Sequence, residues 1–147
     1  MTKIKPHINK VLSFSHERVA NNFLATKKFD NKVPRVIHLI TGLERGGAER
    51  FLYNLISNGL KGQFDNSVIS LMAVGYYGKL LKKKKIPVFS LNLNRGQINF
   101  SAVKKLRKIL IEQKPDIIQG WMYHGNLAAL LGYIMVNKKI KLSWTIR

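Results

Sequence analysis

The apolar positions of the chain follow a strand pattern first and a helix pattern directly after it. From Val36 to Ile40 the run is nearly continuous, as in a strand that is covered on both faces. The next apolar positions recur at the three- and four-residue spacing of a helix, and they are Ala48, Phe51, Leu52, Leu55 and Ile56. The pattern therefore predicts a strand, a turn at residues 44–47 and an amphipathic helix.

The same alternation continues along the rest of the chain. Further strands are predicted at Ser67–Val74, Pro87–Leu91, Asp116–Trp121 and Ile140–Ile146. Gly75–Gly78 is interpreted as a turn before at most two helical turns, Ser101 as the N-cap of the next helix, and Leu127–Val136 as a small-residue-rich helix. Alternating strands and helices predict an α/β fold, a Rossmann-like open parallel sheet of about five strands with helices on both faces.

The turn after the first strand carries the chemistry that the pattern best supports. Gly46 and Gly47 lie there, at the carboxyl end of a parallel strand, where ligands bind in open α/β sheets. Two glycines permit positive φ and close approach of a partner, and the helix that follows offers free N–H groups to an anion. The alternative is a plain tight turn. The spacing matches neither the G-x-G-x-x-G of nicotinamide enzymes nor a P-loop.

Composition and charge exclude some kinds of binding site and favour others. The chain has no cysteine, which excludes disulfides and cysteine-ligated metal centres, and 26 Lys and Arg against 7 Asp and Glu give a net charge of +19. Basic clusters at Lys82–Lys85 and Lys104–Lys108 favour polyanions, but no nucleic-acid recognition motif is present, so we expect no specific nucleic-acid partner. The longest apolar window, around Leu127–Val136, is too short to span a bilayer.

The two ends of the chain differ from its middle. Residues 1–32 mix basic and polar residues without a sustained apolar stripe, and are predicted to be a basic, loosely ordered leader before a domain at 33–147. A helix packed on the domain is the alternative for the leader. The sequence stops at Arg147, on the last residue of a predicted strand, so we expect a domain truncated at its C-terminal end.

Three motifs in this order carry a resemblance to a known family. VIHLITGLERGGAERFLYNLI is followed by KPDIIQGWMYHGNLAALLG and then by LSWTIR. Together they resemble the amino-terminal domain of the retaining GT-B glycosyltransferases of family 4, over Val33 to Arg147. In that family this domain binds mainly the acceptor, and a second domain, with a Glu-x-seven-Glu motif, holds the nucleotide-sugar donor. The resemblance implies a partial glycosyltransferase that is inactive alone.

The resemblance also implies roles for particular residues. Gly46 and Gly47 match the glycine loop that faces the donor phosphates and the acceptor. His124 is the candidate catalytic residue, although several family members carry their histidine where this chain has Trp121. Further cleft candidates are Trp121, Asn126 and Arg147, and Asn126 is alternatively interpreted as a helix cap. No metal and no cofactor are expected.

The expected partners are a nucleotide-sugar donor and a glycan or lipid-linked acceptor, such as a polysaccharide precursor. The basic clusters add a weak interaction with an anionic membrane surface, and the expected location is the cytoplasm, including the inner face of the membrane. Two alternatives stay open. One is a non-catalytic α/β domain that binds phosphorylated or sugar ligands, and the other is a nucleotide-sugar epimerase, which the missing G-x-G-x-x-G disfavours.

Overall fold

A computed structural model of the chain describes residues 32–60, 62–94, 99–136 and 139–145. The strands are β1 (Arg35–Ile40), β2 (Asp65–Ser70), β3 (Val88–Ser90), β4 (Ile117–Trp121) and β5 (Lys141–Thr145). The helices are α1 (Gly47–Asn54), α2 (Gly75–Lys83), α3 (Phe100–Gln113) and α4 (Met122–Val136), and a π-helical turn, Leu55–Gly59, directly continues α1. The predicted leader at 1–32 lies outside the described residues except for Lys32.

All five strands form one parallel sheet in the order β3-β2-β1-β4-β5. β1 is central and pairs with β2 on one side and β4 on the other, with Ile40 opposite Ser70 and Trp121. The order of the strands reverses at β1, because β2 and β3 are added on one side of it and β4 and β5 are then added on the other. In sheets of this kind, the crevice at the carboxyl ends of the two strands at the reversal is the usual ligand site.

Helices cover both faces of the sheet, which confirms the predicted fold class. Side chains alternate along β1, so Ile37 and Leu39 pack on the face of α3 and α4 while Ile40 packs on the face of α1 and α2. Leu106, Leu110 and Ala129 complete the first core, and Leu52, Leu81 and Val68 complete the second. Both cores are fully buried at their centres.

Several predicted boundaries were wrong. β2 ends at Ser70, and the predicted turn at Gly75–Gly78 is the start of α2. Gly75 has φ +65, and a Cβ there would lie 2.5 Å from the carbonyl carbon of Leu43. Glycine is therefore required at this position, because the backbone of Leu43 leaves no room for a side chain. Gly75 is the first residue of α2 and not part of a separate turn. The N-cap of α3 is Asn99, whose side chain accepts from the backbone N–H of Ala102 at 2.7 Å, and Ser101 lies within the helix.

Candidate functional site

Two segments meet at the carboxyl ends of β1 and β4. The first is the loop at residues 41–46, which leads into α1, and the second is the start of α4, which follows Trp121 without any loop. Ile40 and Trp121 are opposite each other in the sheet, so both segments leave from adjacent positions. We call this the switch-point edge.

Gly46 and Gly47 are both exposed at this edge. Gly46 is the N-cap of α1 and Gly47 its first residue, and a Cβ on Gly47 would meet no atom within 4 Å. The expectation of positive φ was wrong, because Gly46 has φ −160, an extended conformation open to any residue. A Cβ on Gly46 would collide with the carboxylate of Glu49, which lies against it. Gly47 therefore leaves open space in front of the first turn of α1, which has no side-chain cap, whereas the Glu49 carboxylate occupies the space beside Gly46.

Leu43 fixes the loop that carries these glycines. Its side chain is fully buried, and its carbonyl accepts from the backbone N–H of Tyr77 at 2.8 Å. Arg45, which is exposed, stacks its guanidinium 4.5 Å from the ring centroid of Tyr76. The sequence pattern did not single out Arg45. Arg45 directly precedes Gly46 in the chain, between the acidic Glu44 and the first turn of α1, which contains Glu49.

His124 lies in the first turn of α4 and is exposed. α4 begins at Met122 instead of near Leu127, because Met122 takes φ 60 and turns the chain directly from strand to helix. Tyr123 beside it is 75% exposed. His124 and Tyr123 therefore face solvent at the same edge of the sheet as Gly46 and Gly47.

Trp121 is a buried residue with only 4% of its surface exposed. It packs in the core between the sheet and α1, with its ring centroid 5.9 Å from that of Phe51. Its indole N–H donates to Nδ1 of His38 at 3.2 Å. The structure thus separates the two residues, because Trp121 is buried in the core under α1 and His124 lies on the surface.

His38 is the polar centre of this core. Nε2 of His38 lies 3.0 Å from Oδ1 of Asn66, and Nδ2 of Asn66 donates to the carbonyl of Phe64 at 3.0 Å. Because an indole N–H can only donate, Nδ1 of His38 accepts and Nε2 carries the proton. Burial lowers the pKa of His38 to about 4, against a smaller opposing effect of Asn66, so the ring is neutral near pH 7.

The sequence analysis missed this chain of hydrogen bonds from Trp121 through His38 to Asn66. The available signal was a histidine inside a strand that is otherwise apolar, because a buried polar group requires partners. The network joins three adjacent strands, from Trp121 at the carboxyl end of β4 through His38 in β1 to Asn66 near the amino end of β2. It therefore connects the three strands across the sheet beneath α1.

Asn126 does not cap a helix, and that interpretation was wrong. It lies within α4, one turn after Met122, and its Nδ2 donates to the carbonyl of Thr145 at 3.3 Å. Its backbone also lies against Gly120, where a Cβ would come within 2.7 Å of the Asn126 Cα. Asn126 therefore ties α4 to the end of β5. Arg147 lies outside the described residues.

Two general properties of the described part of the chain bear on function. No helix in it is long and apolar enough to cross a membrane. No group of three or more His, Cys, Asp or Glu side chains in the same residues is arranged to hold a metal ion.

Comparisons with known proteins give a limited result. No protein-family model matches the chain, and no curated protein matches it. Among solved structures, the chain is similar to a candidate UDP-N-acetylglucosamine 2-epimerase from Listeria monocytogenes, with 15% identity and a TM-score of 0.49. The match covers 78% of this chain and 30% of that protein, so the chain spans less than a third of its length.

Proposed function

We propose that this chain is the acceptor-side half of a GT-B retaining glycosyltransferase, whose whole protein transfers a sugar from a nucleotide-sugar donor to a glycan or lipid-linked acceptor. The observation that carries the proposal is the joint exposure of Gly46, Gly47 and His124 at the switch-point edge. Two facts support the proposal: the motifs at these positions resemble those of family 4, and ligands usually bind where the strand order of such a sheet reverses.

Each exposed residue has a physical role in the proposed reaction. The first turn of α1 and Arg45 together attract the negative charge of a donor phosphate. His124 faces the transferred sugar or the acceptor hydroxyl, where its ring nitrogens can form hydrogen bonds. Trp121 has a positioning role, since it is buried and holds the end of β4 through His38. Asn126 positions α4 in the same way, and Arg147 remains a candidate for the cleft.

The proposed function predicts that this chain alone has no transferase activity. Retaining transfer needs donor and acceptor to be held together in a closed cleft, and the resemblance assigns the donor site to a second domain. The measurement is nucleotide release from several nucleotide sugars, with and without lipid-linked and glycan acceptors. Turnover well above that of a Gly46→Trp control would contradict the prediction.

The anion site of the chain can be tested separately by titrating UDP, GDP and inorganic phosphate into isotope-labelled protein. We expect amide shifts at Gly46, Gly47 and the start of α4. Gly47→Asp should abolish these shifts, because it places a negative charge at the first turn of α1 in open space that accepts a side chain. The matched control is Gln63→Asp, which makes the same charge change at an exposed position at the opposite edge of the sheet.

Two results would count against this site. If UDP and phosphate shift no amide near Gly46, the switch-point edge is not an anion site. If Gly47→Asp and Gln63→Asp weaken binding equally, the interaction is a general effect of the net positive charge. Direct conversion of a nucleotide sugar to its epimer would instead favour the epimerase alternative.

A further inference from the structure

Helix α4 is apolar on its outer face as well as its inner face. Its 15 residues include no Asp, Glu, Lys or Arg, and Gly125, Ala129 and Gly132 are buried against the rest of the domain. On the opposite side of the helix, four apolar side chains are 75%, 60%, 38% and 71% exposed in turn: Tyr123, Leu127, Leu131 and Ile134. We call these four residues the α4 stripe. Because it lies opposite the residues that face the sheet, the stripe points away from the sheet.

Helix α3 lies beside α4 and presents a second outward stripe. The two helices are in direct contact, because a Cβ on Gly132 would lie 2.7 Å from a methyl carbon of Leu110. The side of α3 opposite its buried residues carries exposed basic and apolar side chains together: Phe100, Lys104, Arg107, Lys108 and Ile111. Nζ of Lys104 lies 4.8 Å from the ring centroid of Phe100. Both helices cover the same face of the sheet, so their outward stripes form one surface.

Exposed apolar side chains are concentrated on this surface. Among the described residues, ten large apolar side chains are exposed, and seven of them belong to α3 and α4. The helices on the other face of the sheet, α1 and α2, contribute only Tyr76 to this set. Lysine clusters occur on both faces, so charge alone does not distinguish them. The combination of charge with a large apolar area is specific to the α3–α4 side.

We propose that the outer faces of α3 and α4 bind the surface of an anionic lipid bilayer, with the α4 stripe inserted at the level of the headgroups. A bilayer surface offers both of the environments that these helices need. Anionic headgroups attract the basic side chains of α3, and the acyl boundary below them accepts the uncharged side chains of α4. Lys and Arg can lie with their stems along apolar surface while their charges stay in water.

Charge favours a bilayer over a second copy of the chain at this surface. At a net charge of +19, two copies repel each other, whereas an anionic bilayer attracts the whole molecule. The one carboxylate of α3, on Glu112, lies 3.8 Å from Nζ of Lys108, and α4 has no carboxylate. The surface that meets the lipid is therefore positive on α3 and neutral on α4.

The size of α4 agrees with a helix that lies along the bilayer surface. A helix of 15 residues is about 22 Å long, and no helix in the described residues is long and apolar enough to cross a membrane. Binding should therefore have two parts. The attraction of α3 is weakened by salt, and the insertion of α4 resists it.

This orientation has a consequence for the candidate site. Tyr123 directly precedes His124 in the first turn of α4, so the stripe begins at the switch-point edge, and that edge would lie beside the bilayer. A lipid-linked acceptor is then favoured over a soluble glycan. This consequence rests on the proposed function, whereas binding to a bilayer does not and is measured without donor, acceptor or turnover.

The first test is co-sedimentation of the full chain with vesicles of phosphatidylcholine alone, or with phosphatidylglycerol added, at low and high salt. We expect binding to the anionic vesicles that weakens with salt but keeps a salt-resistant part. Ile134→Gln should weaken binding about tenfold and remove the salt-resistant part, since it leaves the charge unchanged and removes apolar surface. Val33→Gln is the matched control, because Val33 is 49% exposed but lies just before β1, and it should change binding less than about twofold. Circular dichroism checks that each variant is folded.

The second test identifies the face that meets the lipid, and the absence of cysteine from the chain makes it possible. Leu127→Cys on α4 and Asn54→Cys on α1 are each labelled with a fluorophore that reports the polarity of its surroundings. Both positions are exposed, and they lie on opposite faces of the sheet. With anionic vesicles, the emission of the label at 127 should shift to the blue, and that of the label at 54 should not.

Three outcomes would overturn the proposal. The first is an equal effect of Ile134→Gln and Val33→Gln on vesicle binding, or no binding at low salt. The second is an equal or larger blue shift of the label at 54. The third is a dimer in analytical ultracentrifugation without lipid that Ile134→Gln dissociates, which would assign the surface to a second copy of the chain.

Discussion

At the residue scale, the buried His38 makes stability depend on pH. Its pKa is about 4 in the folded chain and 6.5 ordinarily, so between these values the unfolded chain binds the extra proton. The unfolding free energy is therefore highest above about pH 6.5 and falls as the pH drops toward 4, by on the order of 3 kcal/mol. Denaturant unfolding at a series of pH values measures the loss.

The contribution of His38 is isolated with two variants. His38→Gln removes the titrating ring, so it should lose less stability between pH 7 and pH 4 than the unchanged chain does. His124→Gln removes a histidine that is exposed to solvent and should retain the full pH dependence. If His38→Gln and the unchanged chain lose the same free energy over this range, the ring is not held neutral by burial.

At the scale of elements, α4 packs closely on β1 at the switch-point edge. A Cβ on Gly125 would fall 2.5 Å from the carbonyl oxygen of Leu39, a backbone atom that cannot move aside without shifting the strand. We expect Gly125→Ala to lower the unfolding free energy by about 1–3 kcal/mol, because overpacking forces the helix away from the sheet.

Gly47→Ala is the matched control for this packing, since a Cβ on Gly47 meets nothing within 4 Å. It should change the unfolding free energy by less than about 0.5 kcal/mol, or raise it slightly, because alanine favours helix. Thermal and denaturant unfolding of both variants give the comparison. A Gly125→Ala protein as stable as Gly47→Ala would show that α4 is not seated closely on β1.

At the scale of the whole molecule, the two basic clusters are exposed on opposite faces of the sheet. Lys82–Lys85 span the C-terminal end of α2, and Lys104–Lys108 lie on α3, which covers the other face. Among the described residues, α3 carries two exposed apolar side chains beside its cluster, Phe100 at 73% and Ile111 at 43%. Charge combined with apolar side chains is typical of helices that lie on membranes, so we expect α3 to bind anionic vesicles.

Vesicle co-sedimentation at low and high salt measures this interaction. Each basic residue near an anionic surface contributes about 1 kcal/mol, so replacing Lys104 and Lys108 together by Gln should weaken binding by about 30-fold. Replacing Lys82 and Lys83 by Gln makes the same charge change on the other face and should have a smaller effect. Equal binding to neutral and anionic vesicles would contradict an electrostatic interaction.

The sequence by itself determined the class of fold and the edge of the sheet at which the candidate site residues lie. The apolar run from Val36 to Ile40 indicates a buried strand, and the apolar spacing from Ala48 to Ile56 indicates an amphipathic helix. Both signals are short-range patterns, so they can be identified from the sequence alone. Once strands and helices alternate, parallel pairing and right-handed crossovers follow, and Gly46 and His124 must lie at the carboxyl edge. These are consequences of chain connectivity.

Only the tertiary structure decided which side chains meet. His38, Asn66 and Trp121 are far apart in sequence and join because β1 lies between β2 and β4. Trp121 is consequently a core residue, although its motif placed it beside His124. Position 75 requires a glycine because the backbone of Leu43 lies against it. The order of the strands and the close contacts between distant backbone segments depend on how the whole sheet and its helices pack. A local pattern of residues therefore does not predict them.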